Sequence, residues 1–305
     1  MRGVLLRVFL ILVASSAWAQ TRDENIMKCT SNNPDAVISG CTALLHSDHD
    51  ADCVAAYIAR GNTYIGMGRY DQAIADFTKA ILLQPDSVMA YTSRGSAYGS
   101  AGQYDQAIAD FTKAITLRPD FAMAYNNRGF VYATKGLWTE AVTEYNHAIA
   151  IQPELAITYA NRGAAYFKMG QFDPAIADFT KLIALQPTRA ENYDNRGSAY
   201  TGKGLYDAAI DDFTRAIAIK PDFANSYNNR AWAYHLKGED AKGLPDASKA
   251  VALAPRQADG FETLAEINEK LGRHDDAIAN YRTALALDPH IQSALDGLKR
   301  LGAIP

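Results

Sequence analysis

A chain of 305 residues with a net charge of −4 has the wrong sign for a nucleic-acid binder, and no cluster of lysine or arginine reverses it. Its hydrophobic content of 48% is ordinary for a folded soluble protein. As one compact domain 305 residues would be large, so the organisation along the chain has to be read first.

The opening stretch MRGVLLRVFLILVASSAWAQ places Arg2 and Arg7 ahead of an apolar run from Val8 to Ala14, followed by Ala17-Trp18-Ala19. This pattern predicts a secretory signal peptide over residues 1–19, cut after Ala19. The apolar run is shorter than the roughly 20 residues a membrane span needs. The mature chain is therefore expected in the periplasm or secreted, without membrane insertion. Gln20, not a cysteine, stands directly after the cut site, which argues against a lipid anchor.

Residues 20–53 form an N-terminal capping segment that holds all three cysteines: Cys29, Cys41 and Cys53. In an oxidising compartment a pair would bridge. Cys29–Cys41 is favoured with Cys53 left over, although spacing alone leaves Cys41–Cys53 open. Pro34-Asp35 followed by Ala36, Val37, Ile38, Cys41, Leu44 and Leu45 predicts a short amphipathic helix that covers the first repeat. His46 to Cys53 reads as a polar connector. Asp48, Asp50 and Asp52 begin like a calcium loop, but Cys53 stands where glycine is needed and Ala59 where the bidentate acid belongs. His46, His49, Asp50 and Cys53 could gather a transition metal; the linker reading is preferred, and no metal or cofactor is predicted.

From residue 54 the chain repeats itself. Prolines recur at 85, 119, 153, 187, 221, 255 and 289, and glycines at 68, 102, 136, 170, 204, 238 and 272, always 34 apart. Seven copies at constant period predict a repeat array over 54–291 (54–87, 88–121, 122–155, 156–189, 190–223, 224–257, 258–291). In each copy the fourth position is aromatic (Tyr57, Tyr91, Tyr125, Tyr159, Tyr193, Tyr227, Phe261) and the eighth is Gly or Ala (Gly61, Gly95, Gly129, Gly163, Gly197, Ala231, Ala265). A second Tyr follows at position eleven in six copies, with Asn268 in the seventh. These offsets share one helical face, and the small residue admits a partner helix with aromatics filling the space beside it. The mid-repeat glycine ends this first helix in the left-handed conformation. A second helix is predicted to start with Asp71, Asp105, Thr139, Asp173 or Asp207 as N-cap. Pro174 fits its first turn. Repeat six departs: Gly243 and Pro245 fall where the helix should begin, and Ala247 replaces Phe or Tyr. That helix is expected to be shorter and poorly packed, making repeat six a weak seam. Residues 292–305, with Ala294, Leu295, Leu298 and Leu301, predict a C-terminal capping helix.

These residues resemble the tetratricopeptide repeat family. The resemblance covers 54–291 and rests on small and aromatic residues at matched offsets in seven copies. It implies an all-α fold: a right-handed α-solenoid of helix-turn-helix units whose first helices line a concave groove. It also implies a scaffold that binds other proteins or peptide segments, not an enzyme.

Position seven, usually apolar in the family, is here Arg60, Arg94, Arg128, Arg162, Arg196 and Arg230. Sixteen residues on stands an acid: Asp76, Asp110, Glu144, Asp178, Asp212 and Asp246. In repeat seven both vanish together, as Leu264 and Asn280. The joint loss predicts structural Arg–carboxylate pairs between the two helices of one repeat. Binding of an anionic ligand is the competing reading, disfavoured because each arginine has its own acid.

By the resemblance, position six faces the groove and reads Ala59, Ser93, Asn127, Asn161, Asn195, Asn229 and Thr263. A file of carboxamides can donate to and accept from a peptide backbone without reading its sequence. A tolerated solvated residue is the plain alternative. Around the file are expected Asn126, Phe130, Phe167, Asn225, Asn228, Trp232 and His235. Asp259, Glu262, Glu266 and Glu269 would make the far end acidic. The Lys and Arg with which some family members grip a terminal carboxylate are absent: those positions hold Ala55, Ile58, Met89, Thr92, Met123 and Asn126.

No GxSxG, phosphate-loop or HExxH motif occurs, and His147, His235, His274 and His290 have no triad spacing. The leading expectation is a non-catalytic periplasmic adaptor holding extended peptides. The alternative is a redox- or metal-responsive sensor built on the cysteine segment.

Overall fold

The computed structural model describes residues 21–46 and 50–303. The expected signal peptide and the centre of the connector, 47–49, lie outside the described residues. All described regular elements are α-helices. The chain divides into two compact units between Pro153 and Glu154.

The N-terminal unit opens with helical residues 21–29, α1, and α2 (Pro34–Leu45). Asn33 caps α2 by accepting the Ala36 N–H at 3.0 Å, and Pro34 occupies the first turn where no amide is needed. Helix α1 was not expected from the sequence pattern. Three contacts hold it: the Cys29–Cys41 disulfide, Ile26 packed on the same cluster, and a close helix crossing at Gly40, where a Cβ would come within 2.7 Å of the Asn25 carbonyl oxygen. Closing a loop across 12 residues contributes about 3 kcal/mol by chain entropy. Cys29, Val37, Cys41, Leu44 and Ala56 form one cluster, so the capping segment does cover the first repeat.

Three helix pairs follow in this unit: α3 (Asp50–Gly66) with α4 (Tyr70–Leu83), α5 (Val88–Ser100) with α6 (Tyr104–Leu117), and α7 (Ala122–Thr134) with α8 (Trp138–Ile151). Helix α3 begins at Asp50, so Asp50–Cys53 belong to the helix and not to the connector. The C-terminal unit holds four pairs: α9 (Ala156–Lys168) with α10 (Phe172–Leu185), α11 (Ala190–Gly202) with α12 (Tyr206–Ile219), α13 (Ala224–Leu236) with α14 (Asp240–Leu253), and α15 (Ala258–Lys270) with α16 (His274–Leu287). Helix α17 (Gln292–Arg300) closes it, burying Ala294 and Leu298 against Ala265, Ala277 and Tyr281. Within each unit every second helix packs on its own first helix and on the next one, the consecutive packing of an α-solenoid.

The turn inside each pair is set by the mid-repeat glycine. Gly136 takes φ +77°, and the Leu137 N–H reaches back to the Tyr132 carbonyl at 2.9 Å, closing α7 in a left-handed cap.

The second helices start one residue before the expected N-caps, at Tyr70, Tyr104, Trp138, Phe172 and Tyr206, and no side chain caps them. Asp105 and Asp207 sit in the first helical turn, where the helix dipole favours negative charge. Each accepts from a lysine one repeat further on, Lys135 and Lys237, at 2.7 Å. Asp173 bonds Lys203 in the same way. The aspartates therefore join repeats instead of capping helices.

The small residue of each first helix faces the second-helix aromatic. A Cβ on Gly61, Gly95, Gly129, Gly163 or Gly197 would lie 2.7–2.9 Å from a ring atom of Phe77, Phe111, Tyr145, Phe179 or Phe213. The second tyrosine of the first helix packs against that ring, as Tyr64, Tyr98 and Tyr200 do, and the flanking tyrosines also serve the arginine. The Arg60 guanidinium lies 5.8 Å from the Tyr57 ring and 5.9 Å from the Tyr64 ring, a sandwich that recurs at Arg94 and Arg162.

Repeat six corrects an expectation. Helix α14 spans 14 residues, the same as α12, with Pro245 inside it. Ala231 and Ala247 replace the Gly–Phe pair, and Leu264 and Ile267 from repeat seven fill the volume the ring would take. Gly243 lets the helices close, since a Cβ there would stand 3.0 Å from the Ala231 carbonyl oxygen. The second helix of this repeat is therefore not a short one.

Candidate functional site

The six arginines and their acids meet. Arg94 Nε and Nη2 donate to the Asp110 carboxylate oxygens at 2.8 Å each. The same fork joins Arg60 to Asp76, Arg162 to Asp178, Arg196 to Asp212 and Arg230 to Asp246, at 2.6–2.8 Å. Arg128 reaches both Glu144 oxygens from one nitrogen at 2.9 Å, because the longer acid approaches from a different angle. The carboxylates raise the pKa of Arg60, Arg94, Arg162, Arg196 and Arg230, so the pairs stay charged.

A third partner was not anticipated. Arg94 Nη1 donates to the Thr78 hydroxyl at 3.1 Å, and Arg128, Arg196 and Arg230 reach Thr112, Thr180 and Thr214 at 2.8–3.2 Å. Each threonine stands 16 residues before its arginine, in the preceding repeat, and donates its own proton to a backbone carbonyl such as that of Ile74. Arg60 uses Thr42 of α2 instead. The sequence signal was available: a threonine stands 16 residues before four of the six arginines, with Leu44 before Arg60 and Asn146 before Arg162 as the exceptions.

The residues expected along the groove fall into distinct environments. In the N-terminal unit Asn126 is buried at 3% exposure and its amide donates to Asn127 Oδ1 at 3.1 Å. Asn126 is thus out of a ligand's reach and orients its neighbour. Phe130 on the same helix is 58% exposed. Asn127 and Phe130 stand on a cavity of about 330 Å³ between α5 and α7, floored by Gly95, Gly99 and Phe111. Gly99 opens this space where other repeats carry larger residues such as Ile65 or Phe167.

In the C-terminal unit Asn161, Asn195 and Asn229 occupy the same position of successive first helices. Asn195 is exposed. Asn229 is held, its Nδ2 donating to Asp194 at 3.3 Å. Phe167 packs edge-on against Phe172 at 5.8 Å and is half-buried. Trp232 stacks on His235 at 5.0 Å, and His235 Nδ1 lies 2.6 Å from Asp240 while Nε2 lies 3.4 Å from Glu266. His235 therefore ties three helices and is not a free groove ligand. Asn225 is exposed and Asn228 partly so. At the acidic end Glu262 accepts from Ser293, and Glu269 is bonded by Arg300 at 2.9 Å and by the Tyr281 hydroxyl at 2.6 Å. Arg300 holds the Glu269 carboxyl below its ordinary pKa, whereas burial pushes Glu266 up.

Asp194, 9% exposed, is a buried carboxylate whose hydrogen-bond donors among the described residues are neutral: Ser226 Oγ at 2.6 Å and Asn229 Nδ2. Burial raises its pKa, and the two hydrogen bonds oppose the rise without cancelling it. A raised carboxyl stabilises the fold when protonated; that contribution is complete below 3.8 and is lost as pH rises through the raised value. Asp194→Asn should therefore melt higher than the parent at pH 7. The gain should shrink as pH falls, and a gain that grew on acidification would refute the assignment. Circular dichroism melts at several pH values read this directly.

Among the described residues no group of three or more His, Cys, Asp or Glu is placed to hold a metal ion, and no helix is long and apolar enough to cross a membrane. Part of the His46–Cys53 set lies outside the described residues.

TPR repeat models match residues 95–136, 132–170 and 197–238. Tetratricopeptide repeat models match 54–87, 156–189 and 258–291. No curated protein sequence matches the chain. Among solved structures, a tetratricopeptide repeat protein from Parabacteroides merdae ATCC 43184 is similar over 82% of this chain and 99% of its own, at 18% identity and TM-score 0.64. The C-terminal part of a TPR repeat-containing protein from Cytophaga hutchinsonii is similar over 79% and 99%, at 25% identity and TM-score 0.61. YrrB, a TPR protein with an unusual peptide-binding site, is similar over 61% and 95%, at 24% identity and TM-score 0.53. With repeat models covering most of 54–291 and helix pairs stacked in the same period, the chain belongs to the tetratricopeptide repeat family, whose fold is that of a protein–protein interaction scaffold.

Proposed function

We propose that this chain is a non-catalytic adaptor that holds extended segments of other proteins against the exposed face of its first helices. One observation carries the reading. Phe130, a large apolar side chain left 58% exposed, stands beside the Asn127 carboxamide at the mouth of a cavity. An exposed aromatic next to a recess and a two-way hydrogen-bonding group is what an anchoring site for a peptide requires. In the C-terminal unit the exposed Asn195 offers the same backbone-reading group.

The adaptor is exported. The leader is read as a signal peptide, and a disulfide between Cys29 and Cys41 suits an oxidising compartment. Both sulfurs belong to buried residues, at 5% and 0% exposure, which favours a structural bridge over a redox sensor.

Selection from a random heptapeptide library on the full chain tests the reading. Phe130→Ala or Asn195→Ala should weaken the selected peptides about tenfold, the loss of one anchor, with unchanged far-UV circular dichroism. A library that yields no binder, or binders indifferent to both substitutions, overturns it.

A further inference from the structure

The C-terminal unit holds a second cavity, of about 360 Å³, between α13, the end of α14 and the start of α15. It exists because the chain is small there: Ala250, Ala254 and Gly260 form its floor, and Gly260 stands where earlier repeats have Ala56, Asn192 or Ser226. Its polar lining comes from Asn225, Asn228, Asn229, Gln257 and Asp259, and no lysine or arginine lines it.

The orientation of these groups narrows what fits. Asn229 spends its amide nitrogen on the buried Asp194 carboxylate, so the end it has left for a ligand is its carbonyl oxygen. Asn228 keeps a buried Oδ1 with no hydrogen-bond partner, and a buried acceptor left unpaired is costly. Asp259 is exposed on the same wall. Asn228, Asn229 and Asp259 thus bring acceptors, one of them charged, to the lining of one cavity that holds no lysine or arginine side chain. A primary ammonium has three N–H donors and a positive charge, and its four-carbon stem needs no partner of its own.

We infer that this cavity receives a lysine side chain of the segment held by the first helices. The inference rests on the adaptor reading above and adds a side-chain preference at one position. Asp194 then has a separate role. The buried carboxylate does not touch the ligand but fixes which way the Asn229 carboxamide faces, making Asp194 a positioning residue.

The test uses the full chain and two capped, dye-labelled heptapeptides, Ser-Asn-Ser-Lys-Ser-Asn-Ser and the same peptide with norleucine for lysine, followed by fluorescence anisotropy. The lysine peptide should bind about tenfold tighter, the scale of one charge-assisted hydrogen-bond set. Asp259→Asn, at an exposed residue, should reduce it to the norleucine level, while Asp71→Asn in the N-terminal unit leaves it unchanged. Equal binding of the two peptides overturns the lysine assignment and leaves the adaptor reading standing. Binding of neither overturns both. A lysine preference that survives Asp259→Asn also overturns the assignment, because the charge would then be read elsewhere.

Discussion

Asp110→Ala should cost the N-terminal unit about 3–5 kcal/mol, the penalty for stranding a buried charge. Asp110 and Arg94 have side-chain exposures of 8% and 17%, so water cannot replace the lost carboxylate. Arg94 would keep only neutral partners, the Thr78 hydroxyl and the Tyr91 and Tyr98 rings. The pair itself contributes far less than this loss suggests, because desolvating both charges offsets most of their attraction. Repeat seven shows the consequence: Leu264 and Asn280 stand where the pair would be, and the helices there still pack, with Leu264 buried at 8% exposure. Arg94→Leu combined with Asp110→Asn copies that solution and should recover more than half of the loss. Urea denaturation, read with hydrogen exchange on α5 and α6, separates the two variants. A repeat array unfolds locally as well as globally, so the exchange data carry the comparison. Equal destabilisation by Asp110→Ala and by the double variant would show that the arginine is not stranded and that the pair is incidental.

The same residues show how far the sequence could be read. The 34-residue period, the glycine turns and the Arg–acid spacing are carried by residue identity at fixed offsets, and each leaves a signature that survives without coordinates. The strongest signal was a joint disappearance: Leu264 and Asn280 change together, which two unrelated surface positions would not do. Features that depend on direction were not legible. Whether Asn126 or Asn127 meets solvent depends on about 100° of helix rotation, and the structure buries the first while leaving the second partly open. Helix α1 shows no apolar period because its buried side is short, Ile26 and Cys29, and a disulfide and a close crossing at Gly40 hold the rest. Asp105 and Asp207 looked like caps because their partners, Lys135 and Lys237, lie 30 residues away. A shorter, loosely packed second helix in repeat six follows from Pro245 and Ala247 only when they are judged within their own repeat. Ile267, which fills the gap, belongs to the next one.

That exchange of volume between repeats gives the other large effect. Phe213 is 1% exposed, and its ring lies against Gly197 so closely that a Cβ there would meet ring carbons at 2.7 and 3.0 Å. Phe213→Ala should cost about 3–5 kcal/mol, because it removes a fully enclosed ring and leaves a cavity. Gly197→Ala alone should cost about 1–3 kcal/mol by overpacking, since Phe213 is locked by Ala209, Ala233, Tyr200 and Ile210 and has nowhere to move. Together the two should cost less than their sum, because the new methyl occupies space the ring has vacated. Repeat six supplies the remaining step. There the Ala231–Ala247 pair is completed by Ile267, the counterpart of Ala233 one repeat on. Adding Ala233→Ile to the double variant should therefore bring stability within about 1.5 kcal/mol of the parent, the range for volume-conserving core swaps. Urea midpoints of the four variants decide it: a triple variant no more stable than the double would mean that the isoleucine of repeat seven does not replace the missing ring, and that repeat six is held by something other than the packing described for it.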